Sequence, residues 1–300
     1  MWTRRACLAG LTSLAACGRD PAPAGDYQPS YADAPAGAEG ELLFAVHPLH
    51  NPAKLFEVYG PLVDWLNRQL PEARLKLQAS RNYEEFERQL QQRRFAFALP
   101  NPYQTLLASR HGYRVFAKMG DDESFRGILL LRRDGPVHAI ADLRGRAISF
   151  PARSALAATM MPQYFLHRHG LPLAAYEQRY VGSQESAIMN TVLGNTAAAS
   201  TWPLPWRAFQ REHPDEAARL VQAWQTDTLP NNALVARDDV PAALVARLRQ
   251  LLLELHRHAE GQVLLARIPL TLFEGADEAT YRPVRQFMDE FERSVRGVQG

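Results

Sequence analysis

Arg153 and Ser154 stand at the head of one apolar helical stretch, and Arg81, Asn82 and Tyr83 at the head of another. The loop His47-Pro48-Leu49-His50-Asn51 leads into a third. A helix start carries unpaired N–H groups and about half a positive charge, so a hydroxyl or a guanidinium beside one makes a preformed seat for an anion. Such a seat binds without turning anything over. His47 and His50 resemble a metal pair only superficially, because no carboxylate or third histidine stands near them at ligand spacing. The pairs His167/His169 and His256/His258 are two residues apart and share no helix face. None of the motifs GxSxG, GxGxxG, GxxxxGK[ST] and HExxH occurs. These helix starts could seat a small anion, and no catalytic constellation, cofactor loop or metal cluster stands out beside them.

The elements that must position these residues follow from apolar periodicity. Leu42 to Val46 reads as a strand, and Leu55, Val58, Tyr59, Leu62, Val63 and Leu66 recur at helical spacing after it. Arg74 to Gln78 alternates as a strand, Tyr83 to Gln92 is helical, and Phe95 to Leu99 is a third strand. A helix from Tyr103 to His111 leads to strands at Arg114 to Ala117 and Gly127 to Arg132. A second unit opens near Pro136, with a strand at Ala147 to Phe150 and a long helix capped by Ser154 that runs to about His169. Gln178 to Val181 is a strand, Ser183 caps the next helix, and Ala197 to Ala199 is a small-residue strand before Trp202 and Trp206. An extended return segment, Thr226 to Pro230, leads to a strand at Ala233 to Ala236 and helices at Pro241 to His258 and about Tyr281 to Val295. Sequential βαβ units imply mainly parallel sheets flanked by helices.

Met1 to Cys17 has the grammar of an export signal: Arg4 and Arg5, an apolar run of about twelve residues, then Leu14-Ala15-Ala16-Cys17. The run is short of the roughly 20 residues a spanning helix needs. Its last four residues resemble the bacterial lipoprotein box, which implies lipidation at Cys17. From Gly18 to about Gly40 the chain is rich in Pro, Ala, Gly and Asp without apolar period, the composition of a flexible tether.

The 300 residues hold Lys+Arg 34 against Asp+Glu 32, and only Lys54, Lys76 and Lys118 are lysines, so no basic tract marks a nucleic-acid partner. Cleavage before Cys17 removes two of the 34 cations and leaves them matched to the 32 acids. Cys7 and Cys17 are the only cysteines, so the body after them holds no disulfide.

A tethered α/β body in two similar halves, crossed twice, resembles the type II periplasmic solute-binding proteins of ABC importers, and within them the phosphate, phosphite and phosphonate branch. The resemblance runs from about Glu41 to Phe291. It rests on the ordered blocks LLFAVHPLHNP, SRNYEEFERQL, FAFALPNPYQTLLA, GILLLRRDGPVHAIADLRGRAISFPARSALAATMMPQYFL, YVGSQESAIMNTVLGNTAAAS and LPNNALVARDDVPAALVARLRQLLL. It implies a first lobe of residues 41–134 and 228–300 and a second of 135–227, crossing near Arg132 to Val137 and Thr226 to Asn231 and closing on a solute by hinge motion. It implies a monomer that captures a small anionic or zwitterionic solute and passes it to a permease in the inner membrane. The lipid at Cys17 would hold it to the envelope, facing the periplasm. The other reading is a periplasmic sensor module that signals to a membrane kinase or cyclase.

By the family's pattern, Tyr83, preceded by Arg81 and Asn82, matches an aromatic that contacts ligand from the first lobe, and Pro100 to Tyr103, with Asn101, matches a ligand loop. Arg153 to Ala157, with Ser154 and Ala155, matches the oxyanion loop of the second lobe, and Ser183 to Glu185, with Gln184, the loop after the next strand. Trp202 lines the cleft or packs a lobe edge. The chain departs from the pattern where phosphonate binders cluster hydroxyls, for Ser154 is followed by Ala155-Leu156-Ala157. Arg153 and Arg81 would compensate with charge-assisted hydrogen bonds, while Glu185 would disfavour a dianion.

Overall fold

The computed structural model describes residues 40–298; Cys17, the export segment and nearly all of the tether lie outside them. Among the described residues, no helix is long and apolar enough to cross a membrane. The strands are β1 (Glu41–Val46), β2 (Arg74–Ala79), β3 (Phe97–Leu99), β4 (Tyr113–Met119), β5 (Arg126–Arg132), β6 (Ala147–Phe150), β7 (Glu177–Tyr180), β8 (Ala198–Thr201), β9 (Leu220–Thr228), β10 (Ala233–Arg237) and β11 (Phe273–Glu274). The helices are α1 (Pro52–Gln69), α2 (Tyr83–Gln91), α3 (Pro102–Arg110), α4 (Met161–Arg168), α5 (Gln184–Val192), α6 (Pro203–Glu212), α7 (Pro214–Ala218), α8 (Ala242–Glu254), α9 (Ala259–Arg267) and α10 (Arg282–Ser294).

Two sheets form, ordered β11-β4-β10-β3-β1-β2 and β7-β6-β8-β5-β9. Both are mixed rather than mainly parallel, because each takes in a strand next to a crossing: β10, after the return, lies antiparallel between β3 and β4, and β5, after the first crossing, lies antiparallel between β8 and β9. The sheets divide the chain differently from the expected boundary at 134/135. Ile128 and Leu130 pack one face of the second sheet while Leu129 and Leu131 pack the other, the two-residue period of a strand buried on both sides. β5 therefore belongs to the second lobe, and the first crossing lies at 120–125 instead of 132–137.

That crossing turns at Asp121, whose backbone is left-handed (φ 58°), and it is laced to the return crossing at 229–232. Asn231 N donates to Asp122 Oδ1 at 2.9 Å, Asn231 Nδ2 to Gly120 O at 2.7 Å and Leu229 N to Phe125 O at 3.1 Å. Lys118, buried at the end of β4, holds Asp122 at 2.8 Å and Glu274 at 2.5 Å. Burial alone would lower its pKa, but the two carboxylates reverse that and leave it raised.

The apolar core of the first sheet continues into the second lobe, taking in Ala155 to Ala158, Met160, Met161, Trp202 and Leu204.

Candidate functional site

The carboxyl ends of β1, β2, β3 and β4 share one edge of the first sheet, and those of β6, β7 and β8 share one edge of the second, where β5 begins and β9 ends. The crossings connect these two edges, so the loops after the parallel strands face each other, as ligand loops do in open α/β sheets.

Each loop on the first-lobe side ends in a helix cap. Asn82 accepts from Glu85 N at 2.8 Å to start α2, and Asn101 accepts from Gln104 N at 3.0 Å to start α3. These side chains satisfy part of the unpaired donors that a bare helix start would offer. Asn101 also reaches across: its Nδ2 donates to Ser154 O at 3.0 Å. Tyr83 is fully buried beside Gln184 of the second lobe, and burial raises its pKa. Gln184 Oε1 accepts from Thr201 Oγ1 at 2.8 Å. Ser183 caps α5, accepting from Ser186 N at 3.0 Å. The structure thus brings Tyr83, Asn101, Ser154 and Gln184 together, with both lobes in direct contact.

The segment 151–160 does not begin as an ordinary capped helix. Ala155 occupies the cap position, without a side chain that can cap, and Met160 N reaches back five residues to Ala155 O at 3.2 Å, the widened turn of a π-helix. Pro162 explains the interruption. It has no N–H to give Ala158 O, and Ser200 Oγ donates to that carbonyl instead at 2.7 Å. Gly127 lets β5 approach the same turn, because a Cβ there would stand 2.5 Å from Ala157 O. Ser154 and Glu87 line the same opening. Glu87 accepts from Gln104 Nε2 at 2.9 Å, and burial raises its pKa, against Ser154 and Gln104, which lower it.

Several expected residues stand elsewhere. Arg81 is exposed at the head of α2, and its charge acts on Glu85. Arg153 is exposed, 5.2 Å over the Tyr180 ring, and its carbonyl accepts from Arg296 Nη2 at 2.6 Å. Glu185 turns outward and meets His213 at 3.5 Å. Trp202 is packed edge-on to Phe125 at 5.3 Å, under the first crossing. Tyr103 is buried, and burial pushes its pKa up to about 12. It lines an opening of about 650 Å³ with Glu84, Glu87, Arg153, Ser154 and Arg296.

His47 and His50 follow β1, and the His47 ring stands edge-on to Tyr83 with centroids 6.0 Å apart. His47 Nδ1 lies 3.0 Å from Leu99 O, and burial lowers both histidines to about 4, so both are neutral at pH 7. Lys54 joins Glu212 of the second lobe at 2.8 Å. Glu87, Gln104 and Thr201 were not singled out from the sequence. For Glu87 a signal existed: it lies four residues after Tyr83, on the same side of α2.

A family model described as "ABC transporter, phosphonate, periplasmic substrate-binding protein" matches residues 44–281. The chain belongs to this family. Its members bind substrates for transport and are not enzymes. Among solved structures, the binding-protein component of an ABC phosphonate transporter from Pseudomonas aeruginosa superposes with a TM-score of 0.78 at 15% identity, over 85% of this chain and 87% of that one. PhnD1 from Prochlorococcus marinus, solved with methylphosphonate, gives 0.78 at 16% identity, over 85% and 100%. A Xanthomonas citri protein solved with a chloride ion gives 0.69 at 18% identity, over 85% and 98%. Among curated proteins no sequence matches. At these identities the structures establish the two-lobed fold.

Proposed function

We propose that this protein is the lipid-anchored solute receptor of an ABC importer, held to the envelope through Cys17. It takes a small solute with a phosphate- or phosphonate-type oxyanion between its lobes and delivers it to a membrane permease. The observation that carries this reading is the meeting of Tyr83 and Asn101 from one lobe with Ser154 and Gln184 from the other at the ends of both sheets. Hydroxyl and amide donors in a water-excluded cleft suit an oxyanion, which accepts several short hydrogen bonds. Asn82 and Ser183 orient the helix starts behind them. Among the described residues the one fully buried lysine, Lys118, belongs to the crossing, so the cleft would bind through neutral donors with Arg153 at its mouth.

Thermal unfolding of the purified protein against phosphate, phosphite, methylphosphonate, sulfonates, dicarboxylates and amino acids tests the solute class. A ligand at 100 times its Kd stabilises by about 2.7 kcal/mol, an easily read shift. The reading expects a selective shift with phosphorus oxyanions that is lost in Tyr83→Ala; a shift with carboxylates or amino acids alone would overturn it. Palmitate labelling in cells, abolished by Cys17→Ser, tests the anchor.

A further inference from the structure

The tail after α10 brings a second guanidinium to the opening that Tyr103, Arg153 and Ser154 line. α10 ends at Ser294, and Val295 and Val298 then pack on the core of the first sheet, so the stretch between them is held down and carries Arg296 toward the second lobe. The guanidinium carbon stands 5.1 Å over the Phe291 ring of α10. Its nitrogens are bonded across the boundary: Arg296 Nη2 donates to Arg153 O at 2.6 Å and Nε to Gln163 Oε1 at 3.2 Å. Both acceptors are neutral, and Nη1 takes part in neither bond. Burial lowers the Arg296 pKa, and the Arg153 charge acts the same way. Glu84, Glu87 and Glu292 line the same opening, yet among the described residues none forms an ion pair with Arg153 or Arg296. Glu84 and Glu292 are exposed, where water and salt screen them, and Glu87 accepts from Gln104 instead. A partly buried guanidinium held by neutral groups, with a like charge beside it, gains most from an anion that enters with its own charge.

We infer that Arg296, supplied by the tail after α10, is a solute-contacting cation that pairs through Nη1 with the solute's oxyanion beside the Ser154 hydroxyl. The inference rests on the oxyanion reading proposed above and adds a charge to its neutral donors. Through Nη2 the same guanidinium holds the main chain just before Ser154, so one side chain both meets the anion and steadies the loop that carries the hydroxyl. Arg153, exposed and over the Tyr180 ring, adds its charge from the mouth. Arg296 is thereby a specificity residue, favouring solutes that carry full negative charge over neutral ones of the same shape.

The test is calorimetric titration of methylphosphonate, at low and at high sodium chloride, into the wild type, Arg296→Met and Arg296→Lys. Arg296→Met keeps an apolar stem over Phe291 and is expected to bind about tenfold or more weakly in low salt, the gap to the wild type narrowing in high salt as screening weakens the charge that the variant lacks. Arg296→Lys keeps a charge without the planar fork, and is expected to fall between the two and to retain the wild-type salt dependence. A smaller loss in Arg296→Met, or a loss of the same size at both salt concentrations, would overturn the inference, since a purely structural clasp does not answer to screening. If Arg296→Met fails to fold, Arg296→Gln, which keeps a donor for the Arg153 carbonyl but no charge, is judged by the same criterion. Should the wild type bind a sulfonate or a dicarboxylate and not methylphosphonate, the solute class proposed above falls. The same salt-dependent loss with that anion then upholds Arg296, and its absence overturns it. Binding of none of these anions by the wild type overturns both.

Discussion

The crossing segments and the cleft loops both join the two lobes, but with different groups. At the crossings the partners are main-chain amides and carbonyls, the buried Asn231 and Asn232, and Lys118 between two carboxylates. At the cleft they are side chains near helix starts: Asn101 donates to Ser154 O, Tyr83 lies against Gln184, and Lys54 of α1 joins Glu212. A joint made of backbone and buried amides persists while the lobes swing about it. A joint made of side chains can part, because each donor or acceptor finds water or a solute when the cleft opens. Pivot and latch are thus distinguishable by the kind of atom that bonds across.

The largest expected difference between the two is in acid. His47 and His50 lie on the cleft side with pKa values lowered from 6.5 to about 4. The unfolded chain therefore takes up protons before the folded one does. Their contribution is fully present above pH 6.5 and lost as pH falls toward 4, at about 3 kcal/mol each. Urea unfolding at pH 7, 5.5 and 4 should show this fall, and His47→Gln should remove its own share. The same slope in wild type and variant would show that the buried ring is not the source.

At the pivot, Asn231→Ala deletes the bond to Gly120 O and the acceptor for Asn232 N in a fully buried setting. A loss of about 2–3 kcal/mol is expected from such unmet groups, read as a lowered melting temperature; a change below about 0.5 kcal/mol would contradict the role given to it. Lys118→Met should cost about 2 kcal/mol at pH 7, less than a fully buried pair because Asp122 and Glu274 are each 42% exposed. Since the folded Lys118 pKa is raised, the wild-type contribution is complete below about 10.5 and fades as pH rises through the folded value. Alkali, not acid, should therefore weaken the pivot, and Lys118→Met should flatten that alkaline decline.

The smallest effect belongs to the rim. Tyr164 Oη donates to Glu290 of α10 at 2.7 Å, and the two rings of Tyr164 and Phe287 meet edge-on at 5.5 Å. Tyr164→Phe keeps the ring contact and should change stability by less than about 1 kcal/mol. Scattering should nonetheless detect a more open ligand-free protein, and an unchanged profile would remove this bond from the latch.

Much of this arrangement was legible in the residues. The two-sided apolar run of β5, the alternation of β2 and the glycine after α5 fix elements by burial and backbone freedom, properties that act locally. The positions of Asn82, Asn101 and Ser183 as caps were readable for the same reason. What escaped was set by contacts distant in sequence. β5 joins the second sheet only because β8 and β9 flank it. Ser154 loses its capping role because Pro162 and Ser200 reshape the turn after it. Arg153 lies over Tyr180, a partner nearly thirty residues away, and so sits at the mouth rather than inside. The short helices α6 and α7 were missed where prolines open them, since an apolar period of one or two turns is too brief to stand out.

The bond from Leu229 N to Phe125 O places the two ends of the second lobe side by side at 3.1 Å. Everything between them, from β5 through β9, is in topological terms a single excursion that leaves and re-enters its host at one point. Such an excursion is separable: a turn of a few residues could bridge its ends in the host, and its own ends are close enough to be fused into a ring. The second lobe is then a single insertion whose ends meet, joined to its host also through the shared core around Ala155 to Ala158, while the host keeps β10, α8 and α10 to complete its own sheet and core.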